Sequence, residues 1–324
     1  MARVVEYKYF LGLRVGKEAW KMLQPPPLKP GDCVGIAAPA GPLQQEGYLS
    51  RGMERLRSWG FRVVLGRPRQ GCEGYLAGRD EDRLAELEAM FASPEIKAII
   101  CLRGGYGSLR LLSDLDYGLI RSHPKIFLGY SDITALHLAM VQKAGLVTFH
   151  GPMIYPELGG HLTPFTRDSL LGMLTGAPAS LTVRPLPGKA LAVSHGRAGG
   201  RLIGGNLSLL VATLGTPFEI DTRGAVLFWE EVDEPPYRVD RMLTQLLLAG
   251  KLSAAAAIAV GECVGCGDLE ELLRDRLAPL GIPCLYGLPC GHGADMATLP
   301  LGVYATLDAD RGYLRIEENP WAPF

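Results

Sequence analysis

From about residue 32 to residue 130 the chain alternates short apolar runs with amphipathic stretches, and this alternation constrains the fold more than any other feature. Residues 32–39 (Asp-Cys-Val-Gly-Ile-Ala-Ala-Pro) read as a short buried strand ending in a Pro/Gly loop. Residues 46–59 place Glu46, Leu49, Met53, Leu56 and Trp59 at helical spacing, and 61–65 form a second strand. A second amphipathic helix over 79–91 sets Leu84, Leu87, Met90 and Phe91 on one face. A fully apolar strand follows at 97–102, then a helix expected over about 109–115, then a strand ending at Leu128. Strands and helices in such alternation form a parallel sheet covered on both faces. Sheets of that kind collect ligands at the carboxyl ends of their strands.

The last of these strands runs into Gly129-Tyr-Ser-Asp-Ile-Thr, after which Ile133, Leu136, His137 and Met140 recur at helical spacing. Ser131 therefore sits where a strand turns sharply into a helix. A nucleophile elbow exposes a serine in this way, although its best-known form is Gly-x-Ser-x-Gly and here Asp and Ile follow the serine. A serine before an apolar periodic run is equally the N-cap of an ordinary helix. Gly104 and Gly105 lie just past the strand at 97–102 and share the same rim.

The remaining chain divides by composition. Residues 1–27 mix apolar and basic residues, end in Gln24-Pro-Pro-Pro, and read as an N-terminal extension. The first α/β unit spans 28–165. Glycines and prolines crowd residues 157–200, which marks 166–198 as a linker. A second α/β unit, at 199–324, carries a helix through Leu214, strands at 225–229 and 254–260, and a helix over 237–248. Short strands follow around 283–286, 301–304 and 313–316.

At 324 residues the chain can bury one large core or two medium ones. A net charge of −1 offers no attraction to nucleic acid or to an anionic membrane. No run approaches the roughly 18 apolar residues of a membrane-spanning helix, and charges interrupt the first ten residues where a secretory signal would be apolar. A cytoplasmic location is expected. Seven scattered cysteines do not make a disulfide framework. Cys263 and Cys266 form a C-x-x-C, but Cys284 and Cys290 are too widely spaced for the second pair of a zinc site. With no helix signal directly after the motif, a redox pair is also disfavoured, and the cysteines read as structural thiols.

Serine hydrolysis needs a nucleophile, a histidine base and a carboxylate that orients it. Ser131 is the nucleophile candidate. Among six histidines, His137 is expected to face the core, His123 precedes a proline, and His161 and His195 lie in the expected linker. His150 ends an apolar strand. His292 lies in Gly-His-Gly-Ala-Asp, where flanking glycines free the backbone to project a ring into a cleft. The carboxylates cluster after Trp229. Glu230 and Glu231 point to opposite faces of a strand, so one of them alone can face a cleft. Gly104-Gly105 and the amide of Asp132 could supply an oxyanion hole. The alternative use of Arg-Gly-Gly-Tyr-Gly, a phosphate loop, lacks both the G-x-G-x-x-G spacing and a G-K-[ST] ending.

Taken in order, these segments resemble the LD-carboxypeptidase family of serine peptidases. The matching pieces are Leu28-Lys-Pro-Gly-Asp-Cys-Val-Gly-Ile-Ala-Ala-Pro-Ala, Arg103-Gly-Gly-Tyr-Gly, Gly129-Tyr-Ser-Asp-Ile-Thr-Ala-Leu, His150-Gly-Pro and Gly204-Gly-Asn-Leu. Phe228-Trp-Glu-Glu-Val-Asp-Glu-Pro-Pro-Tyr-Arg-Val-Asp-Arg-Met-Leu and Gly291-His, with Leu299-Pro-Leu-Gly, complete the set over about residues 28–318. The resemblance implies an N-terminal Rossmann-like or flavodoxin-like domain and a smaller C-terminal domain of swivelling β/α type. It implies a triad of Ser131, Glu230 and His292, oxyanion amides at Gly105 and Asp132, and neither metal nor cofactor. The family has a Glu-Asp pair where this chain has Glu230-Glu231, so Glu231 remains the competing acid. Arg103 is the candidate clamp for a substrate carboxylate, with Gly104 and Tyr106 beside it. The expected partner is a small muropeptide-like peptide ending in a D-amino acid, in peptidoglycan recycling, and the resemblance implies a homodimer. The rival readings are cleavage of peptidyl- or aminoacyl-nucleotide conjugates, as in microcin C immunity, and a ligand-binding module without catalysis.

Overall fold

A computed structural model describes residues 22–322, apart from 44, 67–72, 179–180 and 189. The first part of the chain runs β1 (Cys33–Ala37), α1 (Glu46–Ser58), β2 (Arg62–Leu65), α2 (Asp80–Ala92), β3 (Ile96–Cys101), α3 (Tyr117–Ser122), β4 (Ile126–Gly129), α4 (Thr134–Ala139) and β5 (Thr148–His150). After α5 (Pro164–Thr175) come β6 (Thr182–Val183), β7 (Leu191–Ser194), β8 (Arg197–Asn206), α6 (Leu207–Ala212), β9 (Val226–Val232) and α7 (Pro236–Leu248). The chain closes with β10 (Ala257–Val264), α8 (Glu270–Leu277), β11 (Cys284–Leu288), β12 (Leu299–Leu301), β13 (Tyr304–Asp308) and β14 (Tyr313–Ile316).

Two sheets result. The first has the order β12-β5-β4-β3-β1-β2, with β1 to β5 parallel and β12 antiparallel on its edge. The second has the order β6-β14-β13-β8-β9-β10-β11-β7. Its centre, β8 to β11, is parallel, and antiparallel strands flank it on both sides. The mixed α/β architecture is the expected one, and the second sheet is the wider of the two. One apolar cluster runs from Val34 and Ile100 through Phe149 to Phe228, Trp229 and Leu307, so the two sheets share a core. Burying each such large side chain contributes about 1.5–3 kcal/mol.

The structure revises four sequence expectations. The segment 166–198 is no linker, because α5 fills its start and β6 and β7 join the second sheet. Its punctuation marks helix ends. Thr163 caps the helix by accepting from the Thr166 amide at 3.2 Å, Pro164 opens the first turn, and Gly176 closes it at φ 74°. Leu170, Met173 and Leu174 are buried, and α5 carbonyls accept from the Leu28 amide at 2.7 Å and the Trp321 indole at 2.8 Å. Second, the C-terminal boundary at 199 is crossed: β12 returns to the first sheet and pairs with β5.

Third, the helix expected over 109–115 is a short 3-10 turn, Ser108–Leu111, and the α-helix starts later at Tyr117. Asp116 sets that start, its carboxylate accepting from the Leu119 amide at 2.9 Å. Fourth, a helix does follow the C-x-x-C, since α8 begins at Glu270 with two acids in its first turn and two arginines in its last. Cys263 and Cys266 are nevertheless free and buried, and burial pushes both thiols up, away from the thiolate that redox chemistry needs. In the expected extension, residues 1–21 lie outside the described residues. Leu23 bridges to the chain before β5, donating to Gly145 at 2.7 Å and accepting from Val147 at 2.9 Å. No helix among the described residues is long and apolar enough to cross a membrane.

Candidate active site

Ser131 follows β4 directly and adopts φ 61°, a left-handed conformation that a non-glycine residue holds only under constraint. It opens a 3-10 turn, Ser131–Ile133, that continues into α4. The turn is tight against its surroundings. A Cβ at Gly129 would lie 2.9 Å from Ile133, and one at Gly104 would lie 3.0 Å from the Ser131 Cβ and 3.1 Å from its Oγ. Asp132 anchors the elbow from below. Its Oδ2 accepts from the Ser108 amide at 2.9 Å, and its carbonyl accepts from the Ser108 hydroxyl. Burial pushes the Asp132 carboxyl up, with the Ser108 bonds opposing. The elbow is thereby tied to the chain after β3, where Gly105 has φ 103° and the Gly104 carbonyl accepts from Gly41 at 2.9 Å.

Arg83 braces the same rim from within. It is fully buried, and its guanidinium donates to the carbonyls of Pro39, Gly78 (3.2 Å) and Gly107 (3.0 Å) and to Asp80. Three loops at the carboxyl ends of β1, β2 and β3 are thus held by one side chain. The sequence carried a signal for it: Arg83 shares the apolar face of α2 with Leu87 and Met90, where a charge needs a partner.

The second sheet supplies a histidine–carboxylate pair. His292 Nδ1 lies 2.7 Å from Oε2 of Glu230, which is fully buried near the end of β9. A carboxylate only accepts, so Nδ1 carries the proton and Nε2 is left as the acceptor. Glycines make room for the pair: a Cβ at Gly291 would fall 2.4 Å from Glu230 Oε2, and one at Gly261 would fall 2.9 Å from its Cβ. Burial opposes the charged form of His292, but the charge and hydrogen bond of Glu230, with Glu157 and Glu231 behind, raise its pKa above the ordinary imidazole value.

Glu231 points the other way, as alternation along β9 requires. It accepts from Asn206 Nδ2 at 2.8 Å, the Ser208 amide at 2.8 Å and the Ser208 hydroxyl at 2.7 Å, and so caps α6. Of the two acids, Glu230 is the one that meets His292.

The His292 ring packs against Tyr130, with centroids 4.8 Å apart, and Tyr130 is the residue from which Ser131 turns. That contact joins the two halves at the elbow. Elsewhere Gly205 and Asn206 of β8 close on α4: the Asn206 amide donates to Thr134 Oγ1 at 2.9 Å, and a Cβ at Gly205 would lie 2.4 Å from that oxygen. The His292 loop itself is held from α5. Thr163 Oγ1 donates to Asp295 at 2.6 Å, Thr166 Oγ1 accepts from the Met296 amide at 2.8 Å, and Ser169 Oγ accepts from the Thr298 amide at 2.9 Å.

The other candidates fall as follows. Gly105 and Tyr106 are exposed beside the elbow, and Tyr106 meets exposed Tyr75 edge-to-face at 5.3 Å. Arg103 lies over the Tyr155 ring at 5.2 Å and donates to the Pro42 carbonyl at 3.3 Å, while its Nε is buried with no partner among the described residues. His137 is buried and depressed to about 4 by desolvation, its Nε2 2.8 Å from the Gly129 carbonyl. His150 is buried, and burial keeps it neutral. His195 pairs with Asp310 on an exposed surface. The reading of residue types missed Tyr130, Glu157 and the α5 hydroxyls: Tyr130 lies within the elbow motif but was not singled out, the others lie in no motif, and the roles of all come from distant contacts.

Family models match both parts of the chain: the LD-carboxypeptidase N-terminal domain over residues 34–151 and the LD-carboxypeptidase C-terminal domain over 199–307. A Bacillus subtilis (strain 168) protein named "Probable murein peptide carboxypeptidase" is 44% identical over 88% of this chain and 91% of its own length. The "Murein tetrapeptide carboxypeptidase" of Pseudomonas aeruginosa is 33% identical over 86% of this chain and 94% of its own. A solved structure of the microcin C7 self-immunity protein superposes with a TM-score of 0.85 at 30% identity, covering 93% of this chain and all of that one.

Proposed function

Because the chain belongs to the LD-carboxypeptidase family and is a serine-type carboxypeptidase, we propose that it removes the C-terminal D-amino acid from murein tetrapeptides in peptidoglycan recycling. The reacting groups in this reading are Ser131, His292 and Glu230. The observation that carries it is the packing of the His292–Glu230 pair on Tyr130, beside a serine held at a left-handed turn.

The chemistry follows from the donors and acceptors. Nε2 of His292 takes the hydroxyl proton of Ser131 as Oγ attacks the amide carbon between the L-centre and the D-residue. Glu230 holds the ring in its Nδ1–H tautomer and stabilises the imidazolium that forms. The amides of Gly105 and Asp132 receive the charge on the carbonyl oxygen. Collapse breaks the C–N bond, and His292 returns the proton to the leaving amine. Water, deprotonated by the same histidine, then cleaves the ester and restores Ser131. Arg103, beside the glycine loop and with its buried Nε left without a partner among the described residues, is assigned to the substrate carboxylate, with Gly104 and Tyr106 bordering it.

The test is release of D-alanine from a tetrapeptide ending in L-Lys-D-Ala or meso-diaminopimelyl-D-Ala. Ser131→Ala should abolish release in a folded protein; wild-type turnover by that variant would refute the reading. A second substrate class has a specific observation behind it. A structural neighbour at TM-score 0.85 and 31% identity is the microcin C7 self-immunity protein "in complex aspartyl sulfamoyl adenosine", and the exposed Tyr75–Tyr106 pair could stack a base. Comparing kcat/KM on that conjugate and on the tetrapeptide decides between them.

A further inference from the structure

Beside the histidine–carboxylate pair lies a second carboxylate, Glu157, that the mechanism does not use. Its Oε1 accepts from the Tyr130 hydroxyl at 2.7 Å, and its Oε2 accepts from the Met153 amide at 3.1 Å. The phenol is almost wholly buried, and burial pushes both its hydroxyl and the Glu157 carboxyl up. A buried phenol needs an acceptor, but a carbonyl or an amide would serve at lower desolvation cost than a carboxylate. What the carboxylate adds is a shorter, stiffer, charge-assisted bond.

The segment bearing Glu157 is itself fixed. Arg55 of α1 donates to the carbonyls of Glu157 (3.1 Å) and Leu158 (2.7 Å), and Arg51 donates to that of Gly159 at 2.6 Å. The Tyr155 amide donates to the Leu102 carbonyl at the end of β3 at 2.8 Å. These contacts make 153–160 a bracket anchored on two elements of the first unit. The bracket ends on one phenol. That phenol is the residue immediately before Ser131, and its ring is the wall on which His292 lies.

We infer that Glu157 is a positioning residue: through its hydrogen bond to Tyr130 it sets the register between Ser131 on the first unit and His292 on the second. The inference rests on the proposed roles of Ser131 and His292. Nucleophile and base come from different sheets, and a displacement on the order of 1 Å between them costs about a hundredfold in rate. A single bond that orients the ring packed on His292, one residue before Ser131, therefore acts on kcat, and substrate binding along the rim is untouched.

The experiment compares full-length wild type, Tyr130→Phe, Glu157→Gln and the double variant on the D-Ala-terminated tetrapeptide, with Ser131→Ala as reference and melting curves alongside. Tyr130→Phe keeps the ring and removes only the hydroxyl. Each single variant should lower kcat roughly ten- to hundredfold with KM within about twofold of wild type. The double variant should be no slower than the worse single, because Tyr130→Phe removes the same bond that Glu157→Gln strips of its charge. Wild-type kcat in Tyr130→Phe, a loss confined to KM, or multiplicative losses in the double would overturn the inference while leaving the triad intact. Turnover by Ser131→Ala would overturn the triad first. If Glu157→Gln does not fold, the kcat and KM of Tyr130→Phe decide alone.

Discussion

The proposed nucleophile and the proposed base are held by opposite means. Ser131 is presented by local strain. It sits between a strand and a helix, with Gly129 behind it, Gly104 against it and Asp132 pinned to Ser108. His292 is presented by distant supports. Its loop is glycine-rich and irregular, and it is held by Glu230 from β9 and by hydroxyls of α5 well over a hundred residues earlier. The first arrangement is written in two short neighbouring stretches of the first sheet, 104–108 and 129–134. The second exists once the two sheets have docked. A local turn can be damaged by one change within it, whereas a loop held from outside fails wherever an outside support is removed.

Removing the base should have the largest effect. His292→Ala should lower kcat/KM by on the order of 10⁴ or more, and adding Ser131→Ala should cost little further, since the residues act as a unit. Additive losses measured on the tetrapeptide would break the pairing of the two halves. Glu230→Gln should come next, lowering kcat about a thousandfold. It should also change the pH profile in a defined direction. The base must be neutral to act, and its pKa is raised by Glu230, so wild-type kcat/KM should fall on the acid side with an apparent pKa above 6.5. Without the Glu230 charge that limb should move to lower pH; a fixed limb would detach Glu230 from His292.

The external supports should matter less. Thr163→Val removes the hydroxyl that holds Asp295 and serves as the cap of α5, so a loss of about 1–2 kcal/mol in unfolding free energy is expected. Turnover should fall roughly tenfold. Equal effects on the Ser131 side, read as altered burst labelling by an acylating probe, would blur the comparison drawn above. The smallest effect on activity belongs to Glu231→Gln. It should weaken the capping of α6 by about 1 kcal/mol and move the acid limb to lower pH by much less than the change at its neighbour does.

Much of the first unit was legible. Apolar runs at 32–39, 61–65, 97–102 and 126–128 fall on β1 to β4, and the periodic stretches fall on α1 and α2. These elements are read well because burial leaves an apolar run in the inner strands β1, β3 and β4 and a one-faced apolar period in the helices, whereas β2 at the edge is largely exposed. The segment at 157–200 was read poorly for a specific reason. Gly and Pro signal chain breaks by their backbone preferences, and Pro164 and Gly176 use those same preferences to start and stop a helix. The return of β12 to the first sheet was also invisible, because three buried residues, Leu299–Leu301, carry no label for the sheet they join. The choice between Glu230 and Glu231 lay between those limits. Alternation showed that one faces away, and the structure shows which one.

What the sequence determined by itself is therefore the local chemistry: a serine at a strand-to-helix turn, glycines where the backbone must approach closely, a histidine between glycines and an acid at a strand end. Those are properties of neighbouring residues, set by sterics and periodicity over a few turns of chain. That His292 meets Glu230 and packs beside the elbow of Ser131 was decided by tertiary structure alone. Those contacts depend on two sheets sharing a core, on α5 holding the His292 loop, and on Tyr130 packing against the His292 ring. Contacts between residues so far apart depend on the packing of whole elements, which no short stretch of sequence encodes.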